Sequence, residues 1–453
     1  MTVLNAPVDF SGYMTERAKR RQKSPLKSLI KYIFMPDMVS LGGGCSKSTS
    51  EDGVEEGDLL VLTREGQKES SVEPLDRLLQ YGGGLGIKSM MDFFTQHMEQ
   101  IHSPKYEGWS IVPSVGSTDA LGKAIDLFAN EGDPILVAEW TYPTAIETIH
   151  QIGLEFVTVQ IDSEGMIPSS LDHVCTNWSG SSPLRLIYVI PTGQNPTGAT
   201  MSLSRRTEFY KVCQKHDLII IEDDPYYFLQ FANIPVVDSV QETQQLFPQL
   251  PGIHNLVPSL LSLDTDGRVI RLDTFSKLLA PNLRYGWITA QFPLIEKIMF
   301  HNENSVQQPS GFTQGLSSKL LTECWGPSGF LEHVLFLQKE YLVRRNALVS
   351  SIQKHVGNMV SLTIPTSGMF VWLKINLSPS QLATPGIMDQ IFESMVSHNV
   401  LLVPGCMFSP VSDNNLVKDE PYLRAAFSYT TLDQLEDSAI RLAAALSSFG
   451  LSK

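Results

Sequence analysis

Lys277 stands in the run Asp273-Thr-Phe-Ser-Lys277, with hydroxyls at Thr274 and Ser276 and a guanidinium, Arg284, seven residues further on. A primary amine condenses with an aldehyde, while two hydroxyls and a guanidinium neutralise and hydrogen-bond a phosphate. These residue types at this spacing read as an anchor for an aldehyde cofactor that carries a phosphate. A lone Ser-Lys pair is far more often part of a surface loop. The reading therefore stands or falls with what the rest of the chain delivers to the same place.

Short apolar runs recur at 110–116, 134–138, 155–160, 185–190, 217–221, 268–273 and 286–290, separated by helical patterns such as 118–130 and 205–216. Several runs are continuous rather than alternating, as in strands buried on both faces. The pattern predicts an α/β fold with a mostly parallel sheet of about seven strands. Ligands of such sheets lie beyond the carboxyl ends of the strands. The residues that follow each run are therefore the ones to inspect.

After the first run, Gly116-Ser117-Thr118 opens a helix and offers backbone N–H groups and hydroxyls to a phosphate. A simple N-cap is the commoner use of such residues. Tyr142 follows the second run and supplies a ring to stack on a planar cofactor. Asn195 sits in the Pro- and Gly-stiffened turn 191–198, with an amide for a phenolic oxygen. The fifth run ends in Glu222-Asp223-Asp224-Pro225-Tyr226. Asp223 against a protonated pyridine nitrogen keeps the ring an electron sink, and Tyr226 reaches the phenolic oxygen from the other side. An acidic metal site is the competing reading, but no His/Asp cluster accompanies the run, and no metal is expected. The cofactor these residues point to is pyridoxal 5'-phosphate. Two near-matches to a phosphate-binding glycine loop, within 82–89 and 116–124, miss the required spacing and are read as chance.

The 453 residues carry a formal net charge of -14, which argues against a nucleic-acid partner. Five scattered cysteines without a C-x-x-C pair suggest a reducing compartment. No stretch has the apolar length of a signal peptide or membrane span, so a cytoplasmic protein with no membrane partner is expected. Residues 241–259, rich in Gln and Pro, read as an insertion loop. A long helix over 330–355, strands near 368–375 and 400–403 and a terminal helix over 432–448 form a smaller α+β unit. The expected division is an N-terminal segment 1–75 packing with the small domain, a large cofactor-binding domain 76–335 and a small C-terminal domain 336–453.

Several motifs carry a family resemblance: Ser40-Leu-Gly-Gly-Gly44, Leu79-Gln-Tyr81, Pro191-Thr-Gly-Gln-Asn-Pro-Thr-Gly198, Glu222-Asp-Asp-Pro-Tyr-Tyr-Phe-Leu-Gln230, Asp273–Lys277 and Pro421-Tyr-Leu-Arg424. The chain resembles the fold-type I pyridoxal-phosphate aminotransferases of class I. Within them it is similar to the fungal aromatic aminotransferases and the kynurenine/2-aminoadipate aminotransferases. The resemblance runs from Ser24-Pro-Leu-Lys27 to the terminal helix. It implies Lys277 as the catalytic lysine bonded to the cofactor, Asp223 on the pyridinium, Asn195 and Tyr226 on the phenolic oxygen and Tyr142 on the ring face. Ser117, Thr118, Thr274, Ser276 and Arg284 would hold the phosphate, joined by Tyr81 from a neighbouring subunit, which implies a homodimer with shared sites. Arg424 would clamp the substrate α-carboxylate. Gly43 and Gly44 would leave room for the substrate chain, and Lys27 would meet a distal carboxylate. The implied reaction moves the amino group of an aromatic or 2-aminoadipate-like L-amino acid to a 2-oxo acid such as 2-oxoglutarate.

The chain departs from the family at Cys45-Ser-Lys-Ser, where relatives continue Leu-Pro, and at the three glycines after Tyr81. Both segments belong to the substrate side. A carbon–sulfur lyase using the same cofactor for β-elimination is the alternative they raise. An aminotransferase-like effector domain of a transcription regulator is disfavoured, because the roughly one hundred residues before the first sheet strand hold no basic recognition helix.

Overall fold

The computed structural model describes residues 32, 35, 37–41, 75–79, 82–411 and 420–453. Seven strands, β1 (Trp109–Ser114), β2 (Pro134–Ala138), β3 (Glu155–Val159), β4 (Leu186–Val189), β5 (Ile219–Asp223), β6 (Val269–Thr274) and β7 (Gly286–Gln291), form one sheet in the order β1-β7-β6-β5-β4-β2-β3. Only β7 runs against its neighbours, antiparallel to β1 and to β6. The carboxyl ends of the other six share one edge, and β7, running backwards, begins at that same edge.

The residues explain the layering. Ile135, Leu136 and Val137 are wholly buried, as a strand covered on both faces requires. Helix α1 (Lys88–Ile101) buries Met90, Phe94, His97 and Met98, one stripe at helical spacing. Helices α2 (Ser117–Asp126) and α3 (Pro143–Ile152) start directly after β1 and β2. Helix α4 (Leu203–Lys215) begins two residues before the expected start, because the Ser202 side chain accepts the Arg205 N–H as an N-cap.

The insertion loop expected over 241–259 is partly helical. Val240–Gln245 forms a short helix closed by a capping box between Ser239 and Glu242, followed by a 3-10 turn at Phe247–Gln249. Asn346 Nδ2 donates to Thr243 Oγ1 at 3.0 Å and ties this helix to the molecule.

Helix α5 (Gly326–Ser351) runs from the large sheet towards a second, antiparallel one. That sheet comprises β8 (Val360–Leu362), β9 (Phe370–Ile375), β10 (Val403–Pro404) and β11 (Tyr422–Ala426), ordered β8-β9-β11-β10. The strand expected over 400–403 is split: Val400–Leu401 pairs in parallel with Val39–Ser40, and β10 joins the sheet. Helix α6 (Leu432–Ser447) is started by a Thr431–Gln434 capping box.

One buried cluster of charge holds β5 to β6. Glu222 pairs in register with Arg271. The Arg271 guanidinium reaches Glu222 Oε1 at 3.2 Å, Asp224 Oδ2 at 3.2 Å and Asp273 Oδ1 at 2.8 Å. Burial alone would make Arg271 easier to deprotonate, but Asp273, Glu222 and Asp224 outweigh it and raise its pKa. Removing one partner of such a cluster strands the others as uncompensated buried charge. Arg271→Met should therefore cost about 3–5 kcal/mol in urea unfolding, near the measured range for broken buried pairs. A loss below about 1 kcal/mol, the range of an exposed pair, would show that the cluster does not hold the strands.

Candidate active site

Asp223 closes β5 at the carboxyl edge. Tyr188 on β4 pairs in register with Ile221, so strand alternation puts its phenol and the Asp223 carboxylate on one face of the sheet. Its hydroxyl donates to Asp223 Oδ2 at 2.7 Å. Asp223 Oδ1 is buried and accepts no hydrogen bond among the described residues. Burial pushes the Asp223 carboxyl up to about 6, Asp224 and Asp273 push the same way, and the Tyr188 hydroxyl and Arg271 oppose them.

The β1–α2 junction, the β6 turn and the start of β7 meet through Arg284. Arg284 has φ +49°, a left-handed conformation, and its Nη2 donates to the Val115 carbonyl at 3.1 Å. Its Nη1 donates to the Pro281 carbonyl at 2.9 Å and to Ser276 Oγ at 3.4 Å. Ser276 Oγ lies 2.9 Å from Thr274 Oγ1. The other side of Val115 is held as well: its N–H donates to Asp119 Oδ2 at 2.9 Å, which also receives Lys123 Nζ at 2.6 Å. Gly116 is required here, because its φ is +89° and a Cβ would collide with the Arg284 guanidinium. Ser117, the first residue of α2, has a buried hydroxyl without a partner among the described residues, and Thr118 follows half-buried.

Lys277 is half-buried in the turn after β6. That turn is fixed by the Phe275 N–H on the Tyr285 carbonyl at 3.0 Å and the Ser276 N–H on Thr274 Oγ1 at 3.2 Å.

Arg424 reaches the large sheet from β11. Its Nη1 donates to Asn195 Oδ1 at 2.8 Å. Its guanidinium lies over the Phe370 ring at 4.4 Å and the Phe408 ring at 4.9 Å. Burial lowers its pKa to about 10, with Tyr226 and Tyr142 opposing, so it stays cationic at neutral pH. Tyr226 meets Phe370 edge-on at 5.6 Å. Tyr142 caps α3, and burial chiefly raises its pKa, with Asp223 adding and Arg424 and Arg284 opposing. The turn carrying Asn195 approaches the second sheet closely: Gly193 (φ +54°) and Gly368 (φ +75°) face each other with no room for a Cβ on either.

Two linked sets of expected site residues thus emerge, Thr274, Ser276 and Arg284 beside Gly116, and Asn195 bonded to Arg424. Lys27, Gly43, Gly44 and Tyr81 lie outside the described residues. Sequence reasoning missed Tyr188, Phe370, Phe408 and Arg271. An arginine inside an otherwise apolar strand run and a tyrosine inside another were the available signals, since each buried polar group must find a partner. Nothing local marks the two phenylalanines.

A buried carboxylate oxygen without a donor suits a protonated ring nitrogen. A buried hydroxyl at a helix N-terminus, near a guanidinium and two further hydroxyls, suits a phosphate. The family model described as aminotransferase class I and II matches residues 67–439. The chain belongs to this family. Pyridoxal 5'-phosphate is accordingly its cofactor, and the donor set just described fits that group. Among relatives, an aromatic amino acid aminotransferase of Schizosaccharomyces pombe is 34% identical, covering 97% of this chain and 98% of the relative. An L-tyrosine:2-oxoglutarate aminotransferase of Serpula lacrymans is 31% identical over 89% of this chain and 84% of its own. A crystal structure of an aminotransferase from Candida albicans superposes with a TM-score of 0.77 at 32% identity, covering 98% of this chain and 99% of that one.

Folding raises the Asp223 pKa from 3.8 to about 6, so the unfolded chain releases this proton first and the contribution of Asp223 to stability falls as pH rises through that window. A change of that size corresponds to roughly 3 kcal/mol. In cofactor-free aminotransferase, Asp223→Asn should therefore stabilise the fold relative to wild type at pH 8 by up to that amount and by much less at pH 4. Urea unfolding at both pH values checks this; a pH-independent difference would contradict it.

Proposed function

We propose that this aminotransferase moves the amino group of an aromatic or 2-aminoadipate-like L-amino acid to a 2-oxo acid such as 2-oxoglutarate. The observation that carries the reading is Arg424: a buried cation, flanked by Phe370 and Phe408 and bonded to Asn195. A planar guanidinium fork suits a substrate α-carboxylate. The names of the relatives from Schizosaccharomyces pombe and Serpula lacrymans support the same substrate class and acceptor.

Bound here, pyridoxal phosphate supplies a ring that delocalises charge developing at the substrate Cα. Asp223 would hold the protonated ring nitrogen, its buried Oδ1 having no donor among the described residues. Asn195 and Tyr226 would hold the phenolic oxygen, and Tyr142 would cover the ring face. Ser117, Thr118, Thr274, Ser276 and Arg284 would hold the phosphate. Lys277 would hold the cofactor, and its amine would move the proton at the substrate Cα. Arg424 orients the α-carboxylate, and Gly43, Gly44 and Lys27 meet the rest of the substrate.

The same reading makes the protein a cytoplasmic homodimer, with Tyr81 of a second copy completing the phosphate site. Exposed Leu79, Phe312 and Leu316, around the close packing of Gly311 and Gly315 on Leu78, support a covered apolar face. No helix among the described residues is long and apolar enough to cross a membrane. The division into residues 1–75, 76–335 and 336–453 belongs to this proposal as well. The pairing of Val39–Ser40 with Val400–Leu401 supports an N-terminal segment lying on the small domain.

The test is a panel of amino donors incubated with 2-oxoglutarate. Phenylalanine, tyrosine, tryptophan or 2-aminoadipate should yield glutamate. Ammonia and a 2-oxo acid released from a cysteine conjugate without acceptor, and no glutamate from any donor, would mean a lyase instead. Arg424→Lys should lower kcat/KM for the preferred donor about 10- to 100-fold, as expected for losing hydrogen bonds to a charged group. An unchanged value would remove Arg424 from the substrate.

A further inference from the structure

The amine of a lysine sits at the end of a flexible stem, so its placement depends on how firmly the backbone beneath it is held. Within the Lys277 turn, the Leu278 and Leu279 N–H groups both point back to the Phe275 carbonyl, at 3.1 and 2.8 Å. These bonds are internal; the Phe275 N–H on the Tyr285 carbonyl ties the near end of the turn to the start of β7, and the far end has an anchor of its own. The Leu278 carbonyl, one peptide beyond Lys277, lies 2.6 Å from His333 Nε2 on α5.

A carbonyl only accepts, so Nε2 carries the hydrogen and the ring is held in one tautomer. The imidazole is buried, 8% exposed, with the Trp325 ring 4.5 Å away and the Phe336 ring at 6.2 Å. Burial lowers its pKa, with the bond to Leu278 opposing, which keeps it a neutral donor near pH 7. The helix that carries it makes the same kind of contact elsewhere in the site. Gln338 donates to the Phe228 carbonyl at 3.1 Å, two residues beyond Tyr226. Arg345 donates to the Pro365 carbonyl at 3.3 Å, five residues before Phe370. Helix α5 thus grips, by side-chain donors on backbone carbonyls, the segments that present Lys277, Tyr226 and Phe370.

We infer that His333 is a positioning residue for Lys277, fixing the lysine turn to α5 through the Leu278 carbonyl. The inference rests on Lys277 being the reactive lysine. Without the imidazole donor, a buried carbonyl loses its partner and the turn can rotate beneath the amine. Misplacement of a reacting group by about 1 Å costs on the order of 100-fold in rate. Substrate contacts through Arg424 are untouched, so KM should hold while kcat falls.

The experiment compares wild type with His333→Phe, which keeps a ring and loses the donor, and His333→Gln, which keeps a donor. His333→Phe should lower kcat about 10- to 100-fold with KM within about twofold. It should also shift the absorbance band of the lysine-bound cofactor. In cofactor-free protein, it should change the rate of reductive methylation at Lys277, located by peptide mass, by more than about threefold, and His333→Gln should restore all three towards wild type. Unchanged kcat and methylation rate with only a lower Tm would overturn the inference and leave His333 as packing. Should His333→Phe not fold, Trp325→Leu decides in the same way. It loosens the imidazole without touching the carbonyl; lowered kcat at constant KM supports the inference, and wild-type kcat and methylation rate overturn it. Failure of the underlying reading shows separately, as cofactor attached to a different lysine in wild-type protein.

Discussion

The arrangement depends on one guanidinium. Arg271 is fully buried and touches Glu222 on β5, Asp224 just after β5 and Asp273 on its own strand. Because side chains alternate along a strand, Glu222 and Asp224 turn to one face and Asp223 between them turns to the other. The ion cluster behind the sheet therefore fixes the register that aims Asp223 forward and carries Lys277 just past the end of β6. Glu222 is further held by the Leu260 and Leu261 N–H groups at 2.7 and 3.1 Å. Arg206 reaches the same cluster through Thr192, which it meets at 2.8 Å and which donates to Asp224 Oδ2 at 3.1 Å. Burying so many charges is unfavourable unless each is matched, and the matching is what makes the geometry specific.

The site uses two different solutions to the cost of burial. Behind the sheet, each carboxylate of the Arg271 cluster reaches its guanidinium, although Asp224 Oδ1 has no partner among the described residues. In front of it, Asp223 Oδ1 and Ser117 Oγ are buried without partners among the described residues. Unmatched buried polar atoms are expensive, and they concentrate where a ligand completes them. Arg424 stands on the front side as well. Its guanidinium is stacked between two rings and bonded to Asn195, which links the second sheet to the edge of the first. The close approach of Gly193 and Gly368 sets how near those two parts come.

Much of this was legible in the sequence, and the reason is local. Continuous apolar runs bounded by turn residues located all seven strands of the large sheet, because strands covered on both faces leave no other pattern. Residues just past the first and sixth of those runs meet at Arg284, which arrives because β7 runs backwards. Less legible were features that depend on partners distant in the chain. Arg271 and Tyr188 were visible only as polar residues inside apolar runs. The Phe370–Arg424–Phe408 stack joins three elements that no spacing relates. The helix at Val240–Gln245 was hidden by its Gln-rich composition, although Ser239 and Glu242 spell its capping box. The split between Val400–Leu401 and β10 follows from two different pairing partners and has no sequence signal of its own.

The account rests on one covalent attachment, cofactor to lysine, at the convergence of these strand ends. Borohydride reduction of the holoenzyme, followed by digestion and peptide mass mapping, tests it most directly. The reduced cofactor should be found on the peptide that contains Lys277. Its recovery on any other lysine, or a reduced protein with no attached cofactor, would contradict the account.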